Sequence, residues 1–367
     1  MRTAAISLLF VLLAAPFAVA GEDPTYQDDP MAWHQLPALP DEEGFASPFA
    51  GLSNNALIVA GGANFPEKKP WEGGAKIYHD RIFVLEKPDG NWIDAGKLPR
   101  PLAYGVSITT PQGLVCIGGN DAQRAYADVF LMQWIDGKIR ISYMPSLPKP
   151  ITSATGALIG STVYIAGGHD HPNPAESESL SEFLAFDLAS TSPSWQRLEA
   201  WPGPGRFLPV AGVHEGSLYL FSGIRRVAAG EAFAFDYLTD AYRYIPAPGG
   251  GKGHWTELAD LPRRNAAVPS PAPMLDDRRF VLLGSGADGG HSDKPMSEHP
   301  GFLQSCLIYD IEQDRWSIAG RTPAPRVCAP MVLWHDQWII ISGEIRPGVR
   351  SPQVWAGRPR TSSPRNH

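Results

Sequence analysis

The feature that most constrains this chain is a repeat. A short apolar run ending in glycine occurs six times: residues 57–62 read LIVAGG, 114–119 LVCIGG, 163–168 VYIAGG, 218–223 LYLFSG, 280–286 FVLLGSG and 338–343 WIIISG. The closing glycines, Gly62, Gly119, Gly168, Gly223, Gly286 and Gly343, stand 49 to 63 residues apart. Four of the units end in a tryptophan strand and a turn to proline: Trp92 with Leu98-Pro99, Trp195 with Trp201-Pro202, Trp255 with Leu261-Pro262, and Trp316 with Thr322-Pro323. A unit of this kind is one small sheet that cannot cover both its faces, so neighbours must stack around an axis. The period is close to the kelch length of roughly 50 residues. These features predict an all-β, six-bladed kelch-type β-propeller. The sixth unit runs out after residues 354–355, and a unit's missing tail stands at the other end of the chain, at residues 33–37. The last blade is therefore expected to be closed by strands from both chain ends, leaving no free sheet edge.

Composition agrees and narrows the function. Gly 37 and Pro 36 supply turns for many short strands. A net charge of −7 with 19% charged residues gives no basic footprint for nucleic acid. Arg2, the apolar residues 6–14 and Ala18-Val19-Ala20 have the form of a signal peptide cleaved after Ala20. The expected organisation is a signal peptide over 1–20, a flexible stretch over 21–30, the propeller over 31–357 and a disordered tail over 358–367. The expected location is periplasmic or secreted. The residue after the cleavage point is Gly21 and not a cysteine, so no membrane anchor is expected. Cys116, Cys306 and Cys328 lie in apolar runs without a CxxC spacing, which reads as buried free thiols. His169-Asp170-His171 has a metal-like spacing but no third ligand nearby, and it reads as a solvated loop. No metal or other cofactor is implied.

Propeller geometry locates the chemistry. The loop entering each inner strand and the loop after each second strand should open on one face. The first set offers Arg100, Lys149, Arg206, Arg264 and Arg326, with Glu43 at the corresponding point of the first unit. The second set offers Asn64, Asn120, His169, Arg225, Asp288 and Glu344. Together they predict a cationic funnel that would focus an anion, with arginine suited to a carboxylate. Each position also reads as a strand cap or an ion pair between blades. The loop 286–302 reads either as a lid over the mouth or as a surface insertion.

Residues 343–350, Gly-Glu-Ile-Arg-Pro-Gly-Val-Arg, resemble the Gly-Glu-x-Lys-Pro-Gly-x-Arg segment of bacterial N-acetylneuraminate (sialic acid) mutarotases, also called epimerases. Residues 49–65 and 103–107 resemble two further stretches of that family. There the first segment precedes the other two, whereas here it comes last, so the chain resembles a cyclically permuted branch. The resemblance implies Glu344 as the general acid/base and Arg350 as its companion. It implies Arg346 in place of the family lysine, and Leu102 where the family has arginine, with Arg100 two residues earlier. The implied activity is interconversion of the anomers of N-acetylneuraminate or a related acidic sugar. The substrate would be a small molecule, bound by Asn64, Arg100, Asn120, His169, Arg206, Arg264, Arg326 and Arg346. The alternative is a carbohydrate-binding or scaffolding propeller without catalysis. Nothing in the sequence speaks to oligomeric state.

Overall fold

The computed structural model describes residues 29–229, 232–247, 252–291 and 294–360. The expected signal peptide, most of the stretch before residue 31, and residues 361–367 lie outside them. Six sheets follow one another along the chain and close into a ring. The first blade is Phe49–Ser53, Ala56–Ala60, Arg81–Leu85 and Ile93–Lys97, and the second is Val106–Thr110, Gly113–Ile117, Val129–Ile135 and Lys138–Met144. The third is Thr155–Ile159, Thr162–Ala166, Phe183–Asp187 and Gln196–Arg197, and the fourth is Val210–His214, Ser217–Phe221, Ala241–Ile245 and His254–Leu258. The repeated apolar runs are the second strands. Ala56–Ala60, Gly113–Ile117 and Ser217–Phe221 are buried at every position because a blade lies against each of their faces. Outer strands such as Ile93–Lys97 reach solvent. The apolar core is divided accordingly into six large clusters, one for each blade-to-blade interface.

The repeated tryptophans have a shared task. The indole N–H of Trp92, Trp195, Trp255 and Trp316 donates to the carbonyls of Pro37, Pro145, Glu199 and Ala259 respectively, at 2.8–2.9 Å. Each acceptor sits just beyond the outer strand of the preceding blade, so each partly buried tryptophan packs its ring against the core and ties two blades together.

The sixth blade is Met331–Trp334, Gln337–Ile341, Val354–Pro359 and, from the other chain end, Met31–Leu36. The last two pair antiparallel from Met31↔Pro359 to Leu36↔Val354. The closure expected from the sequence is therefore present, with one correction: pairing to the N-terminal strand carries the sheet to Pro359, past the expected start of the tail at 358.

The fifth blade departs from the pattern. Its regular strands are three, Arg279–Leu282, Ser305–Asp310 and Arg315–Arg321. Where an inner strand is expected, Pro269, Pro271 and Pro273 alternate along the chain. Proline has no N–H to give a ladder, so that segment makes isolated bridges, Ser270↔Pro330 and Met274↔Phe280, and single bonds such as the Ala272 amide to the Ala211 carbonyl at 2.7 Å.

Candidate active site

The two loop sets do open together. In every blade a residue preceding the inner strand bridges a residue following the second-strand glycine: Ala46↔Ala63, Ala103↔Asn120, Thr152↔His169, Phe207↔Ile224, Ala266↔Ala287 and Val327↔Glu344. One position further on stand Ser47, Tyr104, Ser153, Leu208, Ala267 and Cys328, all left-handed, with φ between 46° and 61°. Their amides form a closed hydrogen-bonded hexagon. Ser47 donates to Cys328, Cys328 to Ala267, Ala267 to Leu208, Leu208 to Ser153, Ser153 to Tyr104 and Tyr104 to Ser47, at 2.6–3.0 Å. A left-handed non-glycine residue costs on the order of 1 kcal/mol, and each of these is held by the bond to the next blade. On the inner side of this hexagon lies an axial cavity of about 100 Å³, room for only a few waters. The hexagon is thus the floor of the mouth.

Glu344 rises from this floor on a short hairpin, Glu344–Arg346 with Val349–Arg350. Pro347 and Gly348 make the turn, with Gly348 at φ +79°. The register sets Glu344 directly opposite Arg350. One carboxylate oxygen of Glu344 accepts the Gly348 amide at 2.7 Å, and the other lies 3.1 Å from Nη2 of Arg350. The side chains are 14% and 3% exposed respectively. The Arg350 guanidinium also stacks over Phe65, 4.7 Å from the ring centroid. Its Nε and Nη1 are buried without a hydrogen-bond partner. Leaving buried donors unpaired costs about 1–3 kcal/mol each, so these are unspent.

Two further side chains belong to this group, and the sequence reading did not place them in the site. Nζ of Lys76 lies 3.5 Å from the Tyr104 hydroxyl and 5.2 Å from the centroid of its ring. The Tyr104 ring meets Tyr78 edge-on at 6.5 Å, and the Tyr78 hydroxyl accepts from Asn120 at 3.0 Å. Burial pushes the Tyr104 phenol up, with Lys76 working against it. Lys76 is held above the usual lysine value chiefly by the Tyr104 oxygen beside it. The charges of Glu344 and Arg350 act on both, and on Cys328, whose thiol burial pushes up to about 12. Tyr104 could have been found from the repeat, as the one large polar side chain among the six floor positions. Lys76 lies on a loop that belongs to the first blade alone and carries no repeat signal.

The other expected site residues divide. Arg346 stays at the mouth, stacked over Trp71 at 5.2 Å and donating to the Ser297 carbonyl at 3.0 Å, which docks the 286–302 loop against the hairpin. Arg264 is exposed, and its charge reaches Tyr237 together with that of Asp288. Arg100, Arg206 and Lys149 do not form a ring of free cations. Each is paired with the acid that precedes a third strand: Arg100 with Asp128, Lys149 with Glu182 and Arg206 with Asp240. Arg326 is 1% exposed and donates to Gln353 at 3.0 Å, and burial alone lowers it to about 10. Arg225 is bound to Asp236 at 2.8 Å.

The expected neutral binders are also occupied elsewhere. Asn64 is buried, donating to the Gly44 carbonyl and accepting from His79. Asn120 is buried between Tyr78, Thr152 and the Asp121 carbonyl. His169 is 3% exposed, not on a solvated loop as its sequence suggested. Its Nδ1 donates to the His171 carbonyl at 2.6 Å, and burial lowers it to about 4, so it is neutral. All three cysteines are free; Cys116 and Cys306 are buried and Cys328 is partly so. Among the described residues no group of three or more His, Cys, Asp or Glu is gathered to hold a metal ion.

The sequence pattern of the family described as N-acetylneuraminate epimerase matches residues 19–141, which carry Lys76 and Tyr104. Over those residues the chain is similar to the N-acetylneuraminate epimerases. An N-acetylneuraminate epimerase of Haemophilus influenzae (strain 86-028NP) is 29% identical over 237 residues, covering 58% of this chain and 59% of that protein. One from Yersinia pestis is 27% identical over the same length, covering 58% and 57%. One from Brucella suis is 37% identical over 128 residues, covering 30% and 32%. The chain therefore matches under two thirds of the length of these epimerases. A solved structure described as "Structure of YjhT" superposes with a TM-score of 0.63 over 87% of this chain and 95% of its own, at 14% identity, a likeness of fold.

Proposed function

We propose that this chain is a mutarotase for N-acetylneuraminate or a closely related acidic sugar, with Glu344 moving the proton and Arg350 holding the substrate carboxylate. The observation that carries this reading is Arg350 itself. A buried guanidinium with two N–H nitrogens left without a partner, beside a carboxylate that is itself 14% exposed, has donors to offer the carboxylate of an acid. The names of the relatives supply the substrate class.

Ring opening removes the proton of the anomeric hydroxyl and delivers one to the ring oxygen; closing on the other face reverses both transfers. Glu344 takes the hydroxyl proton and later returns it, one group serving as base and then as acid. Arg350 fixes the sugar acid so that the anomeric carbon stays within reach of Glu344 through both halves.

The test is proton NMR of N-acetylneuraminate freshly released by a sialidase, followed toward anomeric equilibrium. Wild type should shorten the approach and Glu344→Gln should match the blank. Wild type matching the blank overturns the reading, and the propeller then only binds or acts on another sugar.

A further inference from the structure

We propose that Tyr104, backed by Lys76, is the second proton-transfer group of this site, the one that serves the ring oxygen. The inference rests on the mutarotase reading and names the partner that Glu344 lacks. Opening a pyranose moves two protons at two oxygens, and a single carboxylate cannot attend both at once.

The floor position of Tyr104 is fixed from three sides. Its amide donates to the Ser47 carbonyl at 3.0 Å, and its carbonyl accepts from the Ser153 amide at 2.7 Å and the Thr152 hydroxyl at 3.2 Å. A tyrosine at φ +60° is an unfavourable choice where the other five blades use Ser47, Ser153, Leu208, Ala267 and Cys328. The ring packs edge-on against Tyr78, but the hydroxyl adds no structural bond of its own. Among the described residues its O–H has no acceptor, and its oxygen faces only the Lys76 ammonium.

The step balances. Glu344 takes the proton of the C2 hydroxyl as the bond from C2 to the ring oxygen breaks. The electron pair goes to the ring oxygen, which takes the Tyr104 proton, and the phenolate left behind is stabilised by Lys76. Rotation about the C2–C3 bond turns the ketone over. Tyr104 then recovers its proton from the attacking hydroxyl while Glu344 returns its own to the ketone oxygen. Burial, which keeps Tyr104 protonated, fits its starting as the donor.

The experiment compares wild type, Tyr104→Phe and Lys76→Met of the whole chain by exchange NMR of N-acetylneuraminate in mixtures of H2O and D2O. Tyr104→Phe should lower kcat about 100-fold with KM changed by less than about threefold, and Lys76→Met should lower kcat about tenfold, the range of general acid catalysis and of its electrostatic support. The dependence of rate on deuterium fraction should be bowed in wild type, with two protons in flight, and straight in Tyr104→Phe. A structural role would change neither the curvature nor kcat at constant KM. Lys76 stands on an exposed loop, so its variant folds whatever befalls Tyr104→Phe. A Tyr104→Phe enzyme within about threefold of wild type, or one that stays bowed, overturns the assignment and leaves the mutarotase reading intact. A wild type that matches the blank removes both.

Discussion

Arg206 of the fourth blade and Arg350 of the sixth are buried to nearly the same degree and both face a carboxylate, yet they are spent very differently. Arg206 grips Asp240 with two parallel bonds of 2.8 and 2.6 Å, gives Nη1 also to the Ser222 carbonyl, and turns Nε to Pro204. Trp201 and Tyr242 lie along its guanidinium. Nothing is left over for a ligand. Arg350 has one ion pair, one aromatic neighbour and two idle nitrogens. The same contrast divides the mouth. On the side of the third and fourth blades the polar groups Lys149, His169, Arg206 and Arg225 are all engaged. On the side of the sixth, first and second blades, Glu344, Arg350, Lys76 and Tyr104 are gathered with bonding capacity in reserve. Buried guanidinium nitrogens without a partner also occur at Arg226, Arg243, Arg263 and Arg326, so what sets this sector apart is the gathering of Glu344, Arg350, Lys76 and Tyr104 over one stretch of the floor.

The largest effect should come from breaking the reserved side. Glu344→Gln keeps the shape and removes the base, so mutarotation by the folded enzyme should fall by about 10²–10⁴-fold, with a lower melting temperature because Arg350 loses its carboxylate. A variant that keeps activity within a few-fold would place the chemistry elsewhere. The engaged side should answer in the opposite way. Arg206→Ala strands Asp240 and should cost about 3 kcal/mol of stability with kcat unchanged, as read from urea unfolding and the NMR assay on the folded enzyme. Lost activity at unchanged stability would mean that Arg206 had been serving substrate.

How far the sequence revealed this contrast depended on what kept step with the repeat. The propeller was legible because second strands, glycines and tryptophans recur in register, and even the shared sixth blade followed from a unit split between the chain ends. Glu344 and Arg350 were pointed to by the resemblance of residues 343–350 to one family motif, and a hairpin turn sets the two opposite each other. The cations were misread because they do not keep step. Arg206 and Arg326 stand one residue before the bridging position, whereas Arg100 stands three before it and Lys149 likewise. Their partners had a signal of their own: an acid stands just before the third strand in the first four blades, Asp80, Asp128, Glu182 and Asp240. Lys76 and Tyr104 meet through tertiary packing between two blades, which no local pattern encodes.

His169 allows the engaged side to be tested by pH. Its folded pKa of about 4 lies below the ordinary 6.5. The unfolded chain therefore binds more protons between those values, so stability rises with pH across the window and is lost as pH falls through it. A shift of that size corresponds to at most about 3 kcal/mol, fully present above pH 6.5 and gone below about 4. His169→Gln should remove this part of the slope, visible as wild-type and variant unfolding free energies that diverge between pH 4 and 6.5. Parallel curves would show that the imidazole reaches water.

The smallest effect is the most informative about why one buried arginine is idle and another is not. Arg326 occupies in the sixth blade the place that Arg206 holds in the fourth, and Gln353 stands where Asp240 does, just before the third strand. Arg326 consequently carries a buried charge with no carboxylate; Nη2 reaches Gln353 while Nε and Nη1 go unpaired. Gln353→Glu would rebuild the fourth-blade pair here. The glutamine side chain is exposed, so the new carboxylate keeps much of its hydration and loses little on pairing. The gain should be about 1 kcal/mol, seen as a melting temperature about 2 °C higher. The reciprocal change, Asp240→Asn, imposes the sixth-blade arrangement on the fourth and should lower stability by more, because Arg206 is bound at both nitrogens and Tyr242 donates to the same carboxylate at 2.7 Å. If Gln353→Glu instead lowers the melting temperature, the sixth blade holds its guanidinium in a geometry that a carboxylate cannot match, and the likeness between the two blades ends at the backbone.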